Sequence, residues 1–513
     1  MRLPALGVTA LLVAGLAAAG ASALRWSGDS VAAPTESVRP PVIMLVFDEW
    51  PVDAMLGPAG RIDAGRYPNI AALARTATWY PNATTVYDTT FHSVPAILDG
   101  QMPRPGPAPT FRTHPRSIFS LLGRRGYRIV REEPITAMCP PRWCRSPVRT
   151  PPGVGPTLRT DRARTEARFF ERVRARPGHL YFRHALLPHG PYLYLPSGQR
   201  MRPSRRDPIP KMGTGAGFGE THLAWHKGQR LRLQIGLVDR QLGKLFRRLR
   251  RQGTFDDALI VMTADHGISS EVGVQDRRVA TPANVHEIAP VPLFIKAPDQ
   301  RLRRADPTPI TTIDIVPTVA EILGLRYRAD GRPASSPATR RRRTVRVIAR
   351  DFVRTVTVSA AGLARRRAAQ RRRDARAFGF GDWASLYRGP GRYNGLIGRG
   401  LSELAAIPST SPLGKLANLA ALRDVRHGSR VLPTQIAGSV AGGAPDQRRD
   451  YVVAVNGKIR AAGRTFRLRG DPGEHFAAMV PERSLRAGPN AVAVYEVLGG
   501  ASRLRLLAAT PPA

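Results

Sequence analysis

Four short runs in this sequence carry no charged residue: Val42–Phe47, Leu180–Phe182, Leu259–Met262 and Val291–Ile295. None alternates apolar with polar, the pattern of strands covered on both faces. Helical patterns lie between and around them over Pro68–Ala77, Ser117–Arg124, Asp161–Arg174, Gln229–Arg251 and Ile313–Leu325. Together they predict an α/β fold, a mostly parallel sheet sandwiched by helices. Ligands of such sheets bind beyond the carboxyl ends of the strands. The first run ends in Asp48-Glu49, the second leads to His184 and His189, the third to Asp265-His266, and the fourth to Lys296. If all four strands are parallel, these ends share one edge, and carboxylates, imidazoles and a cation converge there.

Between the first two runs lies PNATTVYDTTFHSVPAILDG, with a helix expected from near Ser93 to Gly100. Thr89 and Thr90 then sit just before a helix N-terminus, where amide N–H groups and the dipole favour an anion. A hydroxyl held there against a divalent cation by Asp48 and Asp265 can lose its proton and attack phosphorus or sulfur. Taken alone, Thr90 is an ordinary helix cap. The agreement of order, spacing and strand-end placement among Asp48, Thr90, Asp265 and His266 marks the set as functional.

These motifs resemble the alkaline phosphatase/sulfatase superfamily over roughly Val42 to Leu325. The order matches: a strand ending in an acidic pair, Pro68-Asn69-Ile70, a nucleophile about ten residues before Leu98-Asp99-Gly100, Asp265-His266-Gly267, VPLFIKAP and TIDIVPTVAEILG. The resemblance implies Asp48, Glu49, Asp265 and His266 as metal ligands and Thr90 as nucleophile, with Thr89 as fallback. It implies His189, in PHGPY, as the group that binds substrate oxygen or protonates the leaving group. His184 and His286 are assigned to substrate binding, His184 having a structural role as its alternative and Asn284 standing beside His286. Lys296 reads as a strand cap. Formylglycine sulfatases need Cys-x-Pro-x-Arg, but here the stretch is Thr90-Phe91-His92-Ser93-Val94, so the aldehyde-hydrate mechanism is closed. A Thr nucleophile resembles the phosphoesterase, phosphonate hydrolase and phosphoglycerol- or phosphoethanolamine-transferase branches. The expected cofactor is a divalent metal ion, Mn, Ca, Mg or Zn. Hydrolysis of a phosphate, phosphonate or sulfate ester is the leading reading. Transfer to an envelope polymer or lipid, and a non-catalytic polyanion- or envelope-binding protein, are the alternatives.

The rest of the chain sets the context. Lys plus Arg number 79 against 38 acidic residues, a formal charge of +41, and six of the 79 are Lys. That balance favours anionic partners, while no helix-turn-helix or zinc-finger signature points to specific nucleic-acid binding. Residues 1–23 are uncharged after Arg2 and end Ala21-Ser22-Ala23, which predicts a cleaved signal peptide, with a membrane anchor as the alternative. Residues 24–41 read as a linker, and the body is placed outside the cytoplasm. There Cys139 and Cys144 of MCPPRWC are expected to pair. Residues 42–330 form the expected catalytic domain. Residues 331–429, with Arg340–Arg343, Arg365–Arg367 and Arg371–Arg373, read as a basic, helical connector. Residues 430–513 read as a small antiparallel β domain with a hairpin turn at Asn456-Gly457. Asp239 reads as structural, Tyr192 and Tyr194 as packing, and His92 as lying behind the nucleophile or solvated.

Overall fold

The first half of the chain runs β1 (Val42–Asp48), α1 (Pro68–Ala74), β2 (Thr78–Trp79), α2 (Thr90–Asp99), α3 (Ile118–Gly123), β3 (Arg128–Glu132), α4 (Val154–Leu158), α5 (Arg162–Arg172), β4 (His179–Pro188) and α6 (Thr221–Arg251). It continues through β5 (Leu259–Ala264), α7 (Val285–Ile288), β6 (Leu293–Lys296), β7 (Arg304–Ala305) and α8 (Ile315–Ile322). This computed structural model describes residues 39–144, 153–209, 220–272, 276–389, 391–407, 412–442, 444, 446–468, 471, 473–501 and 503–511. The expected signal peptide or anchor lies outside them. Among the described residues no helix is long and apolar enough to cross a membrane.

Among the described residues seven strands form one sheet in the order β3-β4-β1-β5-β6-β2-β7. β3, β4, β1 and β5 are parallel neighbours, with Val42 of β1 opposite Leu180 on one side and Leu259 on the other. Every residue of β1 is buried, as its unbroken apolar run requires. The fourth run departs from expectation, because β6 pairs antiparallel with β5 and places Lys296 opposite Ile260. Lys296 therefore lies at the end of the sheet away from Asp265. Its ammonium donates to the carbonyls of Asp256 at 2.6 Å, Ala297 at 3.0 Å and Ala258 at 3.3 Å. It caps a strand end and delivers no cation to the site.

Two helices differ in extent from their sequence patterns. α2 starts at Thr90 rather than near Ser93, with Thr89 extended as its cap residue and Gly100 closing it at φ +69°. α6 starts at Thr221, eight residues earlier than its apolar periodicity suggested. Buried arginines of this helix pair with residues on either side of it in sequence: Arg230 meets Asp207 at 2.6 Å and Arg232 meets Asp374 at 2.8 Å. Asp239 of α6 holds the N-terminus of α1, accepting from the Ile70 and Asn69 N–H groups at 2.8 and 3.0 Å and from Asn69 Nδ2 at 2.7 Å. Replacing Asp239 with alanine strands these donors and is expected to lower stability by about 1–3 kcal/mol, read as a shift in denaturant midpoint with metal content unchanged.

Beyond α8 come α9 (Pro337–Arg340), a hairpin of β8 (Thr344–Ile348) and β9 (Thr355–Ser359), and α10 (Ala360–Phe378). The basic segment thus holds a hairpin as well as helix, and several of its arginines are engaged. Arg367 and Arg371 of α10 grip Asp53 at 2.8–3.1 Å, in the turn just after β1. Leu363 packs with Val345 and Val347 of the hairpin against Val285 and Ile288 of α7.

The C-terminal strands are β10 (Ala405–Ile407), β11 (Gly414–Leu416), β12 (Gln435–Val440), β13 (Asp450–Val455), β14 (Lys458–Arg464), β15 (Phe466–Arg467), β16 (Glu474–Met479), β17 (Val492–Leu498) and β18 (Arg503–Ala509). They form a five-stranded sheet, β10-β18-β17-β13-β14, and a four-stranded one, β11-β12-β16-β15, with the neighbours antiparallel apart from β10 and β18. Asn456 and Gly457 turn β13 into β14 with φ +50° and +79°, the left-handed pair a two-residue hairpin demands. Cys139 and Cys144 are disulfide-bonded, with Cα atoms 6.1 Å apart.

Candidate active site

Asp48 closes β1 and Asp265 directly follows β5, its parallel neighbour, so two buried carboxylates meet at one strand edge. Glu49 adopts a left-handed backbone, φ +53°, which costs a residue with a Cβ about 1–2 kcal/mol. That conformation aims the Glu49 N–H at Asp265 Oδ1, 3.1 Å away, and the His266 N–H donates to the same oxygen at 2.7 Å. Asp265 Oδ2 and Asp48 Oδ2, both buried, have no hydrogen-bond partner among the described residues.

The third member of this cluster is His184. β4 lies beside β1, with His184 opposite Val46, and neither nitrogen of its buried ring has a hydrogen-bond partner among the described residues. Asp48, His184 and Asp265 each offer a ligand atom, all within 4.8 Å of one another. Burial, followed by the neighbouring Asp265 charge, pushes the Asp48 carboxyl up to about 7, and burial pushes Asp265 up to about 8. Burial drives His184 down to about 3, so its imidazole is neutral. Two carboxylates that resist ionising together, beside a neutral imidazole with unused lone pairs, fit a divalent cation whose charge would relieve them. The expectation that His184 binds substrate is therefore corrected, because its ring is enclosed with the two aspartates.

Thr90, at the first turn of α2, places its Oγ1 3.3 Å from Asp48 Oδ1 and 3.3 Å from His266 Nε2. His266 Nδ1 lies 2.7 Å from the Gly267 carbonyl. A carbonyl only accepts, so Nδ1 carries a proton, while Nε2 faces Thr90 and Asp265 Oδ2, the latter 3.5 Å away.

Glu49 faces away from this cluster. Its Oε1 lies 3.2 Å from His189 Nε2, and its Oε2 lies 3.4 Å from the Arg277 guanidinium. Burial pushes Glu49 up, but Arg277 and then His189 outweigh it and hold the carboxyl well below its ordinary value. Expected as a metal ligand, Glu49 instead anchors a histidine and an arginine. His189 Nδ1 meets the Gly190 carbonyl, so both ring nitrogens face acceptors. The loop carrying His189 is held by Arg162 of α5, which donates to the carbonyls of Leu186, His189 and Pro191 at 2.5–2.6 Å.

His286 is not brought to this cluster. It sits on α7 with Glu287 and faces Glu271 of the loop after β5, its Nε2 3.7 Å from Glu271 Oε1. Asn284 is spent locally, accepting from Thr281 and donating to the Val279 carbonyl. Arg277 and Arg162 were not foreseen, since one arginine in a chain so rich in them carries no signal. The signal for His184 was present, an imidazole within an otherwise apolar strand, but its partners come from two other strands.

A family model of the sulfatases matches residues 233–325, from the body of α6 through Asp265-His266 to just past α8. Among solved structures the chain is similar to a 2-O glycosaminoglycan sulfatase, at 15% identity and TM-score 0.44 over 61% of this chain and 78% of that one. It is also similar to the phosphonate monoester hydrolases of Agrobacterium radiobacter (16%, TM-score 0.42, 64% and 83%) and Silicibacter pomeroyi (18%, 0.43, 60% and 79%). No curated protein matches the chain at a significant level. The family match thus covers the segment that carries Asp265-His266 and α8, less than a fifth of the chain.

Proposed function

We propose that this enzyme is an exported, metal-dependent hydrolase of phosphate or phosphonate esters, with Thr90 as its nucleophile. The observation that supports this most is the position of Thr90 Oγ1, 3.3 Å from both Asp48 Oδ1 and His266 Nε2. A cation held by Asp48, Asp265 and His184 would supply Lewis-acid charge at the tetrahedral centre. In the first step Thr90 Oγ1 bonds to phosphorus and passes its proton to His266 Nε2. The bond to the ester oxygen breaks, and His189 Nε2 protonates the departing oxygen. In the second step water bonds to phosphorus and gives a proton to His189, while the Thr90–phosphorus bond breaks and Thr90 regains its proton from His266. The Glu49 carboxylate, 3.2 Å from His189 Nε2, fixes the orientation of its ring. Export rests on the apolar N-terminal sequence and is supported by the Cys139–Cys144 bridge, which an oxidising compartment maintains.

Phosphate is favoured over sulfate on chemical grounds. A sulfated formylglycine expels sulfate by collapsing to the aldehyde, an exit that a sulfated threonine lacks. A phosphorylated threonine is open to in-line attack by water. The expected result is a higher kcat/KM for an aryl phosphodiester than for the matched aryl sulfate on one preparation. A clear preference for the sulfate would overturn this reading.

A further inference from the structure

The tip of the β8–β9 hairpin, ARDFVR over residues 349–354, reaches the nucleophile segment from more than 250 residues away in sequence. β8 runs alongside residues 86–87, with the Ile348 N–H donating to the Val86 carbonyl at 2.9 Å and the Tyr87 hydroxyl donating to the Arg350 carbonyl at 3.1 Å. Arg350 is ion-paired with Asp276, the neighbour of the Arg277 that engages Glu49. The tip is thus tied on two sides. It presents Phe352 in the left-handed region, φ +57°, a conformation a bulky residue rarely adopts and one that gathers at functional sites.

Phe352 joins a shelf of rings at the start of α2. Its centroid lies 4.8 Å from His92 and 5.0 Å from Tyr87, and Phe91 lies 5.2 Å from His92. Phe91 directly follows the nucleophile, yet is 41% exposed, and Val353 at the hairpin tip is 86% exposed. Tight turns ordinarily carry polar or small residues at such positions. Here aromatic and aliphatic side chains are held in water beside the start of α2, where Thr90 lies.

We propose that this shelf is the specificity surface of the enzyme: it takes the apolar body of an amphiphilic anionic ester whose tetrahedral head sits at Thr90. The proposal rests on the ester-cleaving site proposed above and extends it to a substrate class, esters with a hydrophobic alkyl or aryl group.

The test is calorimetric binding of hexylphosphonate and methylphosphonate to the metal-loaded full chain and to a Phe91→Ser/Val353→Ser variant. Both side chains are exposed, so the variant keeps its fold, which a melting curve checks. The wild type should bind the hexyl compound tighter by roughly fifteenfold, the effect of about two buried methylenes. The ratio should fall to about threefold or less in the variant. A wild-type ratio near one, failure of both compounds to bind, or an undiminished ratio in the variant overturns the proposal. Turnover of methyl 4-nitrophenyl phosphate is followed in parallel. Its absence alongside a retained chain-length preference overturns the Thr90 reaction and leaves the shelf standing.

Discussion

Thr90→Ala is expected to fold, to bind metal as the wild type does, and to lose turnover by on the order of 10⁴-fold or more, as removal of a covalent nucleophile does. The side chain is small, so the substitution leaves little cavity. Its two polar neighbours, Asp48 Oδ1 and His266 Nε2, keep their other surroundings. The measurement is single-turnover release of the leaving group, with metal content determined on the same sample. Activity close to wild type in Thr90→Ala together with a dead Thr89→Ala would move the nucleophile one residue back. That outcome is disfavoured because Thr89 is the extended cap residue of α2. Full activity in both variants would end the covalent scheme.

The second large effect concerns His184. An imidazole with no hydrogen-bond partner for either nitrogen is a cost in the metal-free protein and an asset once a cation is bound. In chelator, His184→Leu should therefore melt at or above the wild type. On adding metal, the wild type should gain about 2.7 kcal/mol at a hundredfold excess over Kd, and the variant should gain little. Asp265→Asn should abolish both the gain and turnover, because it removes a ligand charge. If His184→Leu keeps the metal-induced gain, the ring is not a ligand. Two aspartates with His184, and His266 close by, shift the expected ion toward zinc relative to an all-oxygen site. Elemental analysis of the purified protein decides the identity.

The central sheet was legible because β1, β4 and β5 are buried on both faces and cannot hide their apolar runs. The direction of β6 was not. An apolar run reads the same for parallel and antiparallel pairing, so the position of Lys296 had to come from register. At the site, the convergence of Asp48, Thr90, Asp265 and His266 followed from strand order and spacing. The division of labour between Glu49 and His184 did not, since it depends on a single left-handed residue. Glu49 turns its backbone to Asp265 and its side chain to His189 and Arg277, which leaves the place beside Asp48 to a ring from β4. The early start of α6 escaped because His226, Lys227 and Gly228 interrupt an apolar period there, although the fold buries all three.

The docking of the β8–β9 hairpin and α10 against the strand-end motifs bears on how this protein can change over generations. The residues proposed to cleave the ester lie before residue 270, whereas the tip beside the start of α2 and the arginines that grip Asp53 lie after residue 348. Mutations in the later half can reshape what the earlier half acts upon while its reactive groups stay fixed. A fragment cut at residue 330 would keep every reactive side chain and lose the neighbours that hold Val86, Tyr87 and Asp53 in place. The proposed site thus draws on both stretches of one chain, and recombination at that boundary would separate Tyr87 and Asp53 from the partners that hold them.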